Sequence, residues 1–195
     1  MSITECFEPA AKQTVANVLG SSRVHKMKKF TFQGHTFDPA HLAHMYYEVT
    51  QGALNVKLDS SQSSSAYYKA GSNTLYIKFI SANSITRQAL IVHETTHALF
   101  DFKAAKMDIA TSESIAYIAQ CLYARANSTN SDPDARLYDE KSSKDKVFEV
   151  GWEIAGKLLN GGSLSGEDVS NMRGAVSQHP FYASKHGSTA DFDGI

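Results

Sequence analysis

Ile85-Thr86-Arg87-Gln88-Ala89-Leu90-Ile91-Val92-His93-Glu94-Thr95-Thr96-His97-Ala98-Leu99-Phe100-Asp101-Phe102-Lys103 is the run on which this chain turns. Asn83 or Ser84 stands ready to cap a helix there, and neither proline nor glycine interrupts it. Ile85, Ala89, Val92, Thr96 and Leu99 recur at helical spacing and form a core-facing stripe. His93 and His97 lie along the edge of that stripe, one turn apart, because residues four apart on an α-helix sit one above the other. Two imidazole nitrogens so placed can face one metal ion, and Glu94, offset around the helix, can reach a water on the ion's open position. The bland alternative is two hydrogen-bonded histidines on an ordinary amphipathic helix. With 8 histidines and 9 glutamates in 195 residues, this spacing arises by chance only about 0.015 times per chain of this composition.

Working outward, the residues before this helix read as sheet. Leu75, Ile77 and Phe79 alternate through 74–80, which predicts a strand with one buried face. Gly71-Ser72-Asn73 makes the turn into it from a strand over 66–70. A serine-rich loop over 60–65 separates that strand from another at 53–59, and the whole region is expected to pair antiparallel. Asp38-Pro39 has the form of an N-cap and first helical residue for a helix over 39–50, after a strand or hairpin over 29–37. A short helix over 9–19 stops at Gly20. Beyond Lys103, Thr111 or Ser112 is the expected cap of a helix reaching about residue 126. A polar loop follows over 127–143, then helices over 144–159 and 167–178, then an aperiodic tail. The fold expected is α+β: a small, mainly antiparallel sheet packed on the His93 helix, with several additional helices. The chain reads as one domain over 1–195, with an N-terminal helix and linker (1–30), a core (30–126) and C-terminal helices and tail (143–195).

A zinc site needs a third protein ligand, and Glu113, sixteen residues after His97 and early in the following helix, is the best candidate. Its alternative role is to complement that helix's N-terminus. Asp101 and Asp108 are weaker candidates; Asp101, one turn past His97, could instead hold an imidazole in one tautomer. Hydrolysis also needs a donor for a developing oxyanion. Tyr117, one turn after Glu113, is the candidate on the same helix, and His179 or His186 could arrive from the tail. His41, His44 and Glu48 form a second cluster at i, i+3 and i+7, read as a solvated helix face. Tyr67-Tyr68 reads as sheet packing, with a groove lining as the alternative if that strand is an edge.

On His93-Glu94-Thr95-Thr96-His97 and Glu113, the segment from about residue 74 to 126 resembles the zincin metallopeptidases of the gluzincin type. The resemblance implies His93, His97 and Glu113 as zinc ligands and Glu94 as general base, in the order sheet, active-site helix, glutamate-bearing helix. About a quarter of the chain is covered. Metzincins would place glycine and a third histidine where this chain has Phe100 and Lys103, and thermolysin-like enzymes would place their glutamate where it has Tyr117. A compact, divergent member is implied.

Composition narrows the function classes. A formal charge of −1, with Arg23, Lys26, Lys28 and Lys29 as the one basic concentration, argues against a nucleic-acid surface. The first thirty residues hold no apolar leader, and no run approaches membrane-spanning length, so cytoplasmic residence without membrane association is the default expectation. Signal-independent export as an effector leaves no mark in the sequence. Cys121, within an apolar helical stretch, reads as a buried free thiol, though a single bridge to Cys6 stays open. The expected activity is zinc-dependent hydrolysis of a peptide or protein substrate. The alternatives are a non-catalytic binding protein of zincin fold and a zinc hydrolase of other amides or esters.

Overall fold

The computed structural model describes residues 3–61, 64–128, 146–185 and 187–194. The architecture is α+β, with helices predominating. Helix α1 (Ile3–Leu19) leads into a hairpin of β1 (Phe30–Phe32) and β2 (His35–Phe37), then α2 (Ala40–Gln51). The hairpin turns on Gln33 and Gly34, both at positive φ (47° and 83°), the two-residue geometry whose twist suits adjoining antiparallel strands. Strands β3 (Asn55–Leu58), β4 (Ala66–Lys69) and β5 (Thr74–Ile77) form one sheet in the order β3-β5-β4. Helices α3 (Ile85–Phe102), α4 (Ile109–Asn127), α5 (Lys146–Leu159) and α6 (Gly166–Gln178) complete the chain.

Three local expectations change. The sheet is mixed: β4 runs antiparallel to β5, but β3 runs parallel to it, because the chain between β3 and β5 passes through β4 at the far edge instead of turning straight back. Helix α1 begins six residues before Pro9, so the proline lies inside the helix and not at its first position, at the cost of one backbone hydrogen bond. The cap of α4 is Asp108, not Thr111 or Ser112: its backbone is extended and its carboxylate accepts from the Thr111 N–H at 2.7 Å. The expected polar loop over 127–143 lies almost wholly outside the described residues.

Helix α3 is the centre of the molecule. Its predicted stripe is buried, and so are Ile91, Thr95, Ala98 and Phe100, because α4 covers one side, β4 and β5 another, and α1 and α2 the rest. Ser84 caps it by accepting from the Arg87 N–H. The N-terminal hydrophobic faces of α1 and α2 (Val15, Leu19, Leu42, Met45, Val49) join the sheet residues Val56, Leu75 and Ile77 in one core with α3 and α4. On the other flank, α4 packs on α5 so closely that a Cβ on Gly151 would stand 2.8 Å from Cys121 Sγ. Cys121 is buried and unbridged. Among the described residues no helix is long and apolar enough to cross a membrane.

Candidate metal centre

Two helices build the site. His93 and His97 project from consecutive turns of α3, and Glu113 meets them from the second turn of α4, five positions after the Asp108 cap. His93 Nε2 and His97 Nε2 stand 3.3 Å apart. Glu113 Oε2 lies 3.4 Å from His93 Nε2, and Oε1 lies 3.6 Å from His97 Nε2. One donor atom from each residue falls within 4.8 Å of the others, and among the described residues this is the one His/Cys/Asp/Glu group so arranged. The three side chains are largely withdrawn from solvent, at 6%, 12% and 14% exposure.

The donor chemistry suits a divalent cation. His97 Nδ1 meets the Ser112 hydroxyl at 2.9 Å; donating there leaves the lone pair on Nε2, the nitrogen that faces His93 and Glu113. His93 Nδ1 and Glu113 Oε2 are buried without hydrogen-bond partners among the described residues. Among the same residues no lysine or arginine pairs with Glu113. A desolvated carboxylate facing two imidazole lone pairs is costly unless positive charge sits among them. Protons can supply that charge. Burial alone disfavours charge on His97, but the Glu113 carboxylate, reinforced by Glu94, outweighs it and lifts this imidazole above its usual range. Burial likewise pushes Glu113 up, and attraction to His97 and His93 overcomes it, holding the carboxyl well below the usual carboxylate range. A metal ion is the other way to meet the same demand.

Around this triad the predicted residues take different places. Glu94, 8% exposed, turns toward the sheet, where Oε2 accepts the Tyr68 backbone N–H at 2.9 Å. Tyr117 lays its ring edge-on to His93, with centroids 4.6 Å apart, and its hydroxyl lies 3.5 Å from that of Tyr182. His179 reaches the same corner, 5.3 Å from the Tyr182 ring and 6.4 Å from that of Tyr117, as an outer layer of aromatic packing. His186 lies outside the described residues.

Asp101 and Asp108 are not part of the triad. Asp108 caps α4 and binds Arg173 Nη2 at 2.8 Å. Asp101 touches neither imidazole; it accepts from the Tyr68 hydroxyl at 2.5 Å and from the Asp193 and Gly194 N–H groups. The partner of His97 Nδ1 is the Ser112 hydroxyl instead. His41, His44 and Glu48 do not converge: His44 pairs with Glu48 at 3.2 Å while His41 Nδ1 lies 3.0 Å from Lys103 Nζ. Tyr67 stacks on Tyr76 across the strands, with centroids 4.6 Å apart, and its neighbour Tyr68 packs partly buried against the core while its hydroxyl bonds Asp101.

Two neighbours of the centre carried no sequence signal for their place there. Ser112 reads in the sequence only as an alternative helix cap, not as a partner of His97. Tyr182 lies in an aperiodic tail, and its hydroxyl is pushed far above the usual phenol range by burial and by the Glu113 charge beside it. No family model matches the chain, and no curated protein and no solved structure matches it significantly.

Proposed function

We propose that the protein is a zinc-dependent hydrolase that cleaves peptide bonds, as a compact and divergent relative of the gluzincins. The observation that carries this is the convergence of His93 Nε2, His97 Nε2 and the Glu113 carboxylate from two helices, beside a glutamate one residue past the first histidine. In this reading His93, His97 and Glu113 hold the ion. Zinc bound there supplies Lewis acidity, lowering the pKa of a coordinated water and polarising the scissile carbonyl.

The chain's own residues do the rest. The Ser112 hydroxyl accepts the Nδ1 proton of His97 when Nε2 turns its lone pair to the ion, and so orients the ring. Glu94 is held by the Tyr68 N–H through Oε2, which leaves Oε1 to take the proton of the attacking water and pass it to the departing nitrogen. Tyr117, edge-on to His93, and Tyr182 beside it are the candidate phenol donors, and both remain protonated at any physiological pH because burial and the Glu113 charge oppose their ionisation. A neutral phenol is what an oxyanion needs as donor.

The test is metal content of protein purified without added zinc, followed by a peptide-library digest with the Glu94→Gln variant alongside. About one zinc per chain, lost in His97→Ala and Glu113→Ala, with cleavage that Glu94→Gln abolishes while retaining zinc, supports the proposal. No metal uptake even from zinc-supplemented buffer overturns it. Zinc without cleavage of any peptide leaves two readings, a binding protein of the same fold or a hydrolase of other amides or esters, which an ester and non-peptide amide panel separates.

A further inference from the structure

Asp101 is fully buried in the last turn of α3, and no lysine, arginine or histidine pairs with it among the described residues. A carboxylate in that position is tolerated only where donors surround it. Three do: the Tyr68 hydroxyl on Oδ2 at 2.5 Å, and the backbone N–H groups of Asp193 (2.8 Å) and Gly194 (3.0 Å) on Oδ1. The residue joins an edge strand to the C-terminal segment.

Tyr68 has a second bond, through its backbone, to Glu94. Glu94 and Asp101 are seven residues apart, about 10 Å along the helix axis, so Tyr68 lies along two turns of α3 and is fastened at both ends. Strand register explains why its N–H is available. The Lys78 N–H donates to Ser65 O, which makes that pair hydrogen-bonded in the antiparallel ladder. Bonded pairs alternate, so Tyr67 and Lys69 face β5 while the N–H of Tyr68, opposite Leu75, points outward from the sheet edge. The height of β4 along α3 therefore bears on where the donor to Glu94 stands, and the Tyr68 phenol, on Asp101 at 2.5 Å and 3.3 Å from Asn73 Oδ1, ties that strand to the last turn of α3.

The tail completes the link. Ser188 O accepts from the Ile109 N–H at 2.9 Å, the Ala190 N–H donates to Met107 O at 3.0 Å, and Thr189 bridges Asp108. One stretch of backbone thus grips the start of α4, just before Ser112 and Glu113, and the end of α3 at Asp101.

We propose that Asp101 is a positioning residue that couples the C-terminal segment to Glu94 through Tyr68. The inference rests on reading Glu94 as the base, but its first readout needs neither metal nor turnover. Amide hydrogen exchange is measured at residue 68 in the full-length wild type, Tyr68→Phe, Asp101→Ala, the double variant and Asp193→Pro, which removes one of the tail's donors. Cutting the link at the phenol or at the tail is expected to loosen the Tyr68 N–H bond to Glu94 and so speed exchange at that amide about tenfold in each single variant, with amides in the middle of α4 unchanged. The double variant is expected to match Asp101→Ala alone, because both substitutions cut the same link. In zinc-loaded protein, kcat on a cleaved peptide should fall about tenfold with KM within about twofold and zinc stoichiometry unchanged.

Unchanged exchange at residue 68 in Tyr68→Phe, or additive effects in the double variant, overturns the coupling; Tyr68→Phe is mild enough to serve if Asp101→Ala fails to fold. Faster exchange with normal kcat removes the positioning role. Faster exchange in a protein that takes up no zinc sinks the hydrolase reading and leaves the mechanical link standing.

Discussion

His97 uses its two ring nitrogens for two purposes. Nδ1 goes to Ser112, and Nε2 goes to the cluster with His93 and Glu113. Removing the hydroxyl in Ser112→Ala leaves the imidazole free to rotate or change tautomer. The expected cost is roughly 10–100-fold in zinc affinity, the usual worth of a group that orients a ligand, with the fold intact by circular dichroism. The metal-free state makes a second prediction. Because Glu113 lifts the His97 pKa above its ordinary value, a proton competes with metal up to a higher pH than an isolated histidine would allow. Zinc affinity should therefore fall as pH drops through the neutral range, and Glu113→Gln, tested with cobalt or zinc titrations, should show weaker binding together with a smaller pH dependence. In the same metal-free protein the raised His97 pKa contributes stability below the unfolded value near 6.5, which is lost as pH rises through the folded value.

At the scale of elements, the N-terminus of α4 decides where Glu113 points. Asp108 caps the helix, Arg173 from α6 binds both Asp108 oxygens at 2.9 Å and 2.8 Å, and the same guanidinium reaches Gln33 in the β1–β2 turn. The Arg173 hydrogen bond, then those from Thr111, hold the Asp108 carboxyl well below the usual carboxylate range despite partial burial. A depressed folded pKa contributes stability above the unfolded value near 3.8 and loses it as pH falls through the folded one, so this anchor fails only in acid below about pH 4. Both partners are about a third exposed, and solvent screening keeps the ion pair modest. Asp108→Ala, which also removes the cap, is expected to cost about 1–2 kcal/mol by denaturant unfolding at pH 7, and Arg173→Ala less. Helix packing sets a sharper limit at Gly151, where a methyl would meet Cys121 Sγ inside contact distance. Gly151→Ala should destabilise by roughly 1–3 kcal/mol despite alanine's better helix propensity, because α4 and α5 have no room to separate.

For the whole molecule, the core is continuous from α1 through the sheet and α3 to α4, α5 and α6, and the candidate centre lies where α3 and α4 meet within it. Cys121 reports on that continuity. Burial pushes its thiol far above the ordinary range, and among the described residues it is fully withdrawn from solvent. In a Cys6→Ser background its alkylation should track global unfolding and stay silent in native protein, whether or not zinc is present. Labelling under native conditions would reveal opening of the α4–α5 interface on its own.

What the sequence determined was periodic or covalently near. The α3 stripe, the alternation of β5, the helices α5 and α6 and the i, i+4 spacing of His93 and His97 follow from local chain geometry, which repeats every 3.6 or 2 residues and so leaves a readable pattern, while the choice of Ser84 over Asn83 as the α3 cap came from the structure. Glu113 was legible for the same reason, since a short connection returns the next helix to the first. What only the tertiary structure decided lies across long separations in sequence: the parallel pairing of β3 with β5, the Ser112 contact to His97, Tyr182 beside Glu113, and Asp101 spanning Tyr68 and the tail. Asp101 reads identically as a ligand, a tautomer holder or a surface acid until Tyr68, 33 residues before it, and Asp193, 92 residues after it, are brought to its two oxygens. Such contacts depend on where whole elements come to rest, and a hydrogen bond between distant residues imposes no period on the chain between them.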